Sequence, residues 1–226
     1  MYEVNGVTGH GDMPSIAGTE AGPAIVIAGA ACVWDDVRAA LALFGGFDFK
    51  NHDQPPCPCT VVAVNDIGVY FAPQVDHLVS HHEDELEPWR TRRRLRTRQC
   101  SVKQPTPVTH THVGYTGKRD GHQLADVRWR FVGAAAGGTS ALLAVGVALA
   151  LGHDKVILCG VPMDGGPHFF GPPWTTGQIF GKLTLEYDWC RARDEWLGGR
   201  VRSMSGRTAE WLGKPDRRWI DDSLNL

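Results

Sequence analysis

The chain has 226 residues, of which 42% are hydrophobic and 21% charged, with a formal net charge of -2 and a pI near 6.5. That length and balance predict one sizeable folded domain, and the small net charge excludes a global pull toward nucleic acid or an anionic membrane, so that any such contact needs a local patch. Six cysteines (Cys32, Cys57, Cys59, Cys100, Cys159 and Cys190) are too few and too scattered for a disulfide framework and suit thiols in a reducing cytoplasm.

Residues 1–23 are glycine-rich and without period, lack the basic start and apolar core of a secretory signal, and are expected to form a flexible leader. AIVIAG, Ala24 to Gly29, is a continuous apolar run of the kind a doubly buried parallel strand needs. It ends in the small-residue turn Gly29-Ala30-Ala31, and Val33, Val37, Leu41 and Phe44 follow at helical spacing. After a loop containing proline and glycine, TVVAV (Thr60 to Val64) predicts a second buried strand closing on Asn65-Asp66, and HLVS (His77 to Ser80) a third. From Glu83 a helix is expected, with acids in its first turn and arginines in its last, as the helix dipole prefers.

VTHTHV (108–113) and VRWRFV (127–132) alternate like half-exposed strands on either side of a loop from Gly114 to Gly121. Residues 133–151 approach the length of a bilayer span, but glycines at 133, 137, 138 and 146 weaken the run and the strand-like KVILCGV (155–161) follows at once. A helix buried in a soluble domain is the expectation, with no membrane partner. Leu185, Trp189, Ala192 and Trp196 trace one face of a helix over 183–197, after which VRSMSG predicts a short strand and turn and TAEWLG a short helix. Strands alternating with helices predict an α/β fold, a Rossmann-like, mostly parallel sheet with helices on both faces, in a single domain over 24–226.

In such sheets ligands bind outside the carboxyl ends of the strands. The residues there are Gly29 to Cys32, Asn65-Asp66, Ser80-His81-His82 and Gly160 to Asp164. Gly133-x4-Gly138-Thr139-Ser140 has the spacing of a Walker A loop with Thr139 where the lysine belongs, which argues against a standard P-loop NTPase. The segment reads two ways: backbone N–H groups that receive a phosphate at a helix N-terminus capped by Thr139 or Ser140, or small residues that only let a helix pack closely. Asn65 reads as a hydrogen-bonding partner for a ribose or base, or as an Asx-turn. Gly29-Ala30-Ala31 lacks the GxGxxG fingerprint of a dinucleotide site.

His168, in MDGGPHFFG, is placed for general acid or base work on a glycine-flanked loop, or is a surface histidine. Neither His110-x-His112 nor His81-His82-x-Asp84 has the spacing of a known metal cage, and Cys57-Pro-Cys59 has no second pair, so no metal site is assigned. Arg90, Arg92, Arg93, Arg94, Arg96 and Arg98 spread round most of a helix, the pattern of a solvated face; only if several aligned would they follow a nucleic-acid backbone.

The blocks AIVIAGAACVWDDV, VVAVNDIGVYF and GGTSALLAVGVALALGHDKVILCGVPMD resemble the Rossmann-like blocks of bacterial CMP-sialic-acid-dependent sialyltransferases and of 6-hydroxymethylpterin diphosphokinase-like proteins. They also resemble uncharacterised phage and prophage proteins, in which segments like HLVSHHEDELEPW and VRSMSG recur. The similarity runs from about residue 24 to 206. It implies a nucleotide pocket built from Gly29, Ala30, Asn65, Gly138, Thr139 and Ser140, with His168 in the position of the late catalytic histidine, and the strand-end positions add Asp66 and His81 to the expected nucleotide-binding residues. The chain departs from the family at Gly29-Ala30-Ala31-Cys32-Val33, where Gly-Asn-Gly-Pro-Ser is usual, and at Pro162, where an acid is usual and Asp164 is the nearest substitute.

These features lead to an expected transferase that takes a nucleotide-activated donor, most simply a nucleotide sugar, to an acceptor hydroxyl, with His168 and Asp164 as its catalytic residues and no cofactor firmly implied. The alternatives are a non-enzymatic nucleotide-binding or virion-associated protein with a degenerate site, and a diphosphokinase-like enzyme that needs Mg²⁺. A phage-encoded protein of this kind would act in the host cytoplasm, on DNA or a glycan.

Overall fold

A computed structural model describes residues 1–46, 57–71, 74–99, 108–114, 125–133, 138–169 and 182–222. Its centre is a seven-stranded, all-parallel sheet built from β3 (Pro23–Ile27), β4 (Thr60–Val64), β5 (His77–Ser80), β6 (His110–Gly114), β7 (Val127–Trp129), β8 (Lys155–Cys159) and β9 (Val201–Ser203). The spatial order is β7-β6-β5-β4-β3-β8-β9. The chain therefore walks outward from β3 to one edge, then returns to lay β8 against the other side of β3, with Ile25 opposite both Val61 and Ile157. The reversal makes the carboxyl ends of β3 and β8 the topological switch point of the sheet.

The unbroken apolar runs of β3, β4 and β8 are explained by burial on two faces. Ala24 and Val26 point to one core, Ile25 and Ile27 to the other. The first core holds α4 (Ser140–Leu151), every residue of which from Ala141 on is buried, because the sheet covers one side and Val7, Trp189 and Leu197 pack in the same cluster. A helix hydrophobic all round needs such cover. Among the described residues no helix is long and apolar enough to cross a membrane. The second core packs α1 (Val33–Ala42), α2 (Ile67–Tyr70), α3 (Leu86–Gln99) and α7 (Arg217–Asp221) on the opposite face. Helix α5 (Lys182–Ala192), continued as a π-turn to Leu197, buries Trp189 and Ala192 on the face that sequence spacing predicts, and α6 (Gly206–Leu212) follows β9.

Two expectations are corrected. The leader is not a bare tether: Tyr2–Val4 (β1) and Val7–Gly9 (β2) form an antiparallel hairpin that buries Val7. Its turn is Asn5-Gly6 at φ 47° and 73°, the left-handed pair that a two-residue hairpin requires. Strand β6 is not half-exposed either, since it lies between β5 and β7 with Thr111 and His112 fully buried. Its polar side chains tolerate burial because they bond internally: Thr111 Oγ1 donates to Asp126 Oδ2 at 2.8 Å, and His112 Nδ1 accepts from Trp129 Nε1 at 2.9 Å.

Candidate functional site

A cavity of about 210 Å³ opens at the switch point, lined by the ends of β3 (Ala28, Gly29, Ala30), β4 (Val64, Asn65, Asp66) and β8 (Gly160 to Pro167), by His168 and by the first turn of α4 (Thr139, Ser140, Ala141). The loop after β8 folds back on the turn after β3. Ala31 N donates to Pro167 O at 2.9 Å and Phe169 N to Gly29 O at 3.0 Å, so Ala30 and His168 form an antiparallel bridge. Gly160, at φ +69°, allows this approach: a β-carbon there would lie 2.2 Å from Ala28 O.

Asp36 ties the turn after β8 to the turn after β9, its Oδ2 accepting from Gly160 N at 2.8 Å and from Ser205 Oγ at 2.6 Å. A carboxylate on the buried stripe of α1 was a readable signal, since Val33, Val37, Ala40 and Leu41 share that stripe. Asp36 and Ser205 are the supporting residues that pattern reading missed, whereas Pro162 and Met163 belong to the expected Gly160-to-Asp164 segment and do line the cavity. Met163 holds φ 53°, a strained angle for a residue with a side chain, at the cavity wall.

Helix α4 begins as its sequence predicts. Thr139 is the N-cap, its Oγ1 accepting from Leu142 N at 3.1 Å. The helix itself cannot pair the N–H groups of Ser140 and Ala141, and both residues face the cavity, where the positive end of the helix dipole favours an anion. Asn65 takes φ 56° at the end of β4. Ser80 Oγ accepts from His82 N at 2.8 Å and donates to Asn65 Oδ1 at 2.8 Å, which commits the amide oxygen and turns the role of Asn65 at the cavity to donation through Nδ2.

His168 Nδ1 lies 3.0 Å from Gly29 O and must donate to it, so the neutral ring carries its lone pair on Nε2. Burial pushes the Asp66 carboxyl above its ordinary value, against the opposing fields of His168 and Arg92. Asp164 is exposed and accepts from Gly166 N through Oδ1 at 2.9 Å, an Asx-type bond that shapes its own loop.

Gly29, Ala30, Asn65, Asp66, Thr139, Ser140, Asp164 and His168 are thus brought to one cavity, whereas His81 and Gly138 are not among its lining residues. The His81 ring stands against Gly114, where a β-carbon would come within 3.0 Å of it, and burial pushes its pKa down; only its backbone N reaches Ser140 Oγ, at 3.4 Å. Gly138, at φ +80°, serves the chain reversal into α4 beneath Leu142. Residues 134–137 of the Walker-like spacing lie outside the described residues.

Three further histidines, His77, His112 and His153, are buried and structural. His77 Nδ1 and His112 Nε2 are 2.9 Å apart, and Glu20 joins His77 (2.8 Å) to His153 (2.9 Å) at the amino ends of the strands, away from the cavity. Among the described residues no group of three or more His, Cys, Asp or Glu is arranged to hold a metal. The arginine cluster disperses: Arg93 is buried and donates to Gly68 O and Phe71 O, Arg90 and Arg94 lie by Glu87, and Arg96 covers the Tyr70 ring. No protein-family model, curated protein or solved structure matches the chain.

Proposed function

We propose that the switch-point cavity binds the phosphate-bearing part of a nucleotide-activated donor, most simply a nucleotide sugar, and that the protein transfers the activated group to an acceptor hydroxyl. The observation that carries this reading is the convergence of Gly29, Asn65, Thr139 and His168, distant in sequence, around one cavity at the mouth of α4. The α4 amides receive the phosphate, and Asn65 Nδ2 donates to a ribose or base oxygen. His168 Nε2 takes the acceptor proton as the acceptor oxygen attacks the donor carbon; the bond from that carbon to the phosphate oxygen breaks, and the departing charge stays on the nucleotide at the helix N-terminus. The described cysteines are all free thiols, which fits a reducing cytoplasm, and a phage-encoded enzyme would take a DNA base or a surface glycan as acceptor.

Calorimetry against a panel of nucleotides and nucleotide sugars tests the binding step, with saturable binding of at least one expected and none at millimolar concentration overturning the proposal. Donor turnover tests the chemistry: His168→Ala should slow it on the order of 10²- to 10⁴-fold without loss of binding. The Asp164 contact to Gly166 favours a second reading, a nucleotide-binding protein without catalysis, since that acid is engaged with its own loop. Equal donor hydrolysis by the wild type and His168→Ala would select this second reading.

A further inference from the structure

Cys57-Pro-Cys59 leads into β4 at the end of the strand opposite Asn65 and Asp66, and the mechanism above does not use it. The two sulfurs are 3.3 Å apart. Cys57 is half-buried and Cys59 is buried, so Cys57 is the more accessible of the two. The pair is held in place from outside the tripeptide: Cys57 N donates to Gln74 Oε1 at 3.3 Å, Gln74 Nε2 donates to both oxygens of Asp76, and Asp76 Oδ2 accepts from Val61 N at 2.8 Å. The hydrogen bond between the two thiols holds Cys57 below its ordinary value against burial and the field of Asp76, and Cys59 is pushed up in return. The other shifted thiols move the opposite way: Cys32 is pushed up to about 11, chiefly by burial, and Cys159 is raised by complete burial.

We propose that Cys57 and Cys59 are a reversible dithiol–disulfide couple that exchanges with small-molecule disulfides. The Cys57 thiolate attacks one sulfur of a disulfide RSSR, forming a Cys57–SR mixed disulfide and releasing RS⁻. Cys59, its proton passing to the departing thiolate, then attacks Cys57 Sγ and releases the second RS⁻. The net reaction is two thiols plus RSSR giving the Cys57–Cys59 disulfide and two RSH, so the protein loses two electrons and the small disulfide gains them. Bonding needs the sulfurs to close from 3.3 Å to about 2.0 Å. A ring over a single intervening residue gains little from loop entropy, which places the bond among the readily reduced disulfides.

The full-length protein is equilibrated with glutathione disulfide and glutathione at graded ratios, then alkylated and mapped by peptide mass spectrometry without reduction. In the wild type the peptide holding both residues should lose two alkylatable thiols and two hydrogens and keep no glutathione, and the change should reverse with excess glutathione. Cys59→Ser should instead retain one glutathione on Cys57, and Cys57→Ser should lower the rate of reaction in that peptide at least about tenfold. Near-ultraviolet circular dichroism confirms that each variant is folded. The proposal is overturned if both thiols of the folded wild type stay alkylatable while Cys190 is modified, or if Cys59→Ser captures no glutathione at position 57.

Discussion

Replacing Glu20 by alanine tests how the leader is fastened to the sheet. Trp129 Nε1 can only donate, so His112 accepts from it at Nδ1 and donates through Nε2 to His77 Nδ1. His77 must then donate through Nε2 to Glu20 Oε1, while His153 contacts Gly22 O at 3.0 Å and Glu20 Oε2 at 2.9 Å. His77 and His153 are 1% and 0% exposed, so loss of the carboxylate leaves two buried imidazoles without their acceptor. At about 1–3 kcal/mol for each orphaned group, moderated because water reaches the partly exposed position 20, Glu20→Ala should cost about 3–4 kcal/mol. For a domain of this size that is a fall in Tm of about 6–16 °C.

The sign of the pH dependence follows from the same contacts. Burial pushes the Glu20 carboxyl up, but the hydrogen bonds and fields of His153 and His77 outweigh it and hold the group well below 4.5. A depressed folded-state value stabilises the protein above the unfolded value of 4.5 and is lost as pH falls below it. Urea titrations followed by tryptophan fluorescence at pH 7 and at steps below pH 5 should show wild-type stability falling toward the variant's. A loss under about 1 kcal/mol at pH 7, or parallel pH profiles for the two proteins, would refute the network as drawn.

The cavity supplies further expectations. Gly160→Ala combines a left-handed φ of +69° with a β-carbon 2.2 Å from Ala28 O, so it should cost at least about 2 kcal/mol and abolish nucleotide binding in calorimetry. Thr139→Ala removes the cap on Leu142 N and should destabilise by about 1 kcal/mol in denaturant melts, with Thr139→Ser restoring most of it.

Much of the fold was legible because two-sided burial leaves a plain mark. The unbroken runs of β3, β4 and β8 require apolar residues on both faces, and Thr139 before an apolar dodecamer announces the start of α4. The Asn5-Gly6 hairpin was not read, because the glycine content around it hid the period of its short strands. Asn65 and Thr139 were recognisable as site candidates because each sits where an apolar run starts or stops. His81 misled for the same reason: its position after β5 fits the rim, but its ring turns into the packing against Gly114.

The sequence alone determined that β3, β4, β8 and α4 are buried segments, because apolar periodicity and caps are properties of neighbours along the chain. Only the tertiary structure decided that β8 returns beside β3, that the loop carrying His168 bonds back onto Gly29, and that Glu20 closes a histidine chain reaching Trp129. Those pairings reach far along the chain, 57 positions between Glu20 and His77 and 139 between Gly29 and His168, and their free energy lies in mutual satisfaction of buried polar groups, which local pattern does not record.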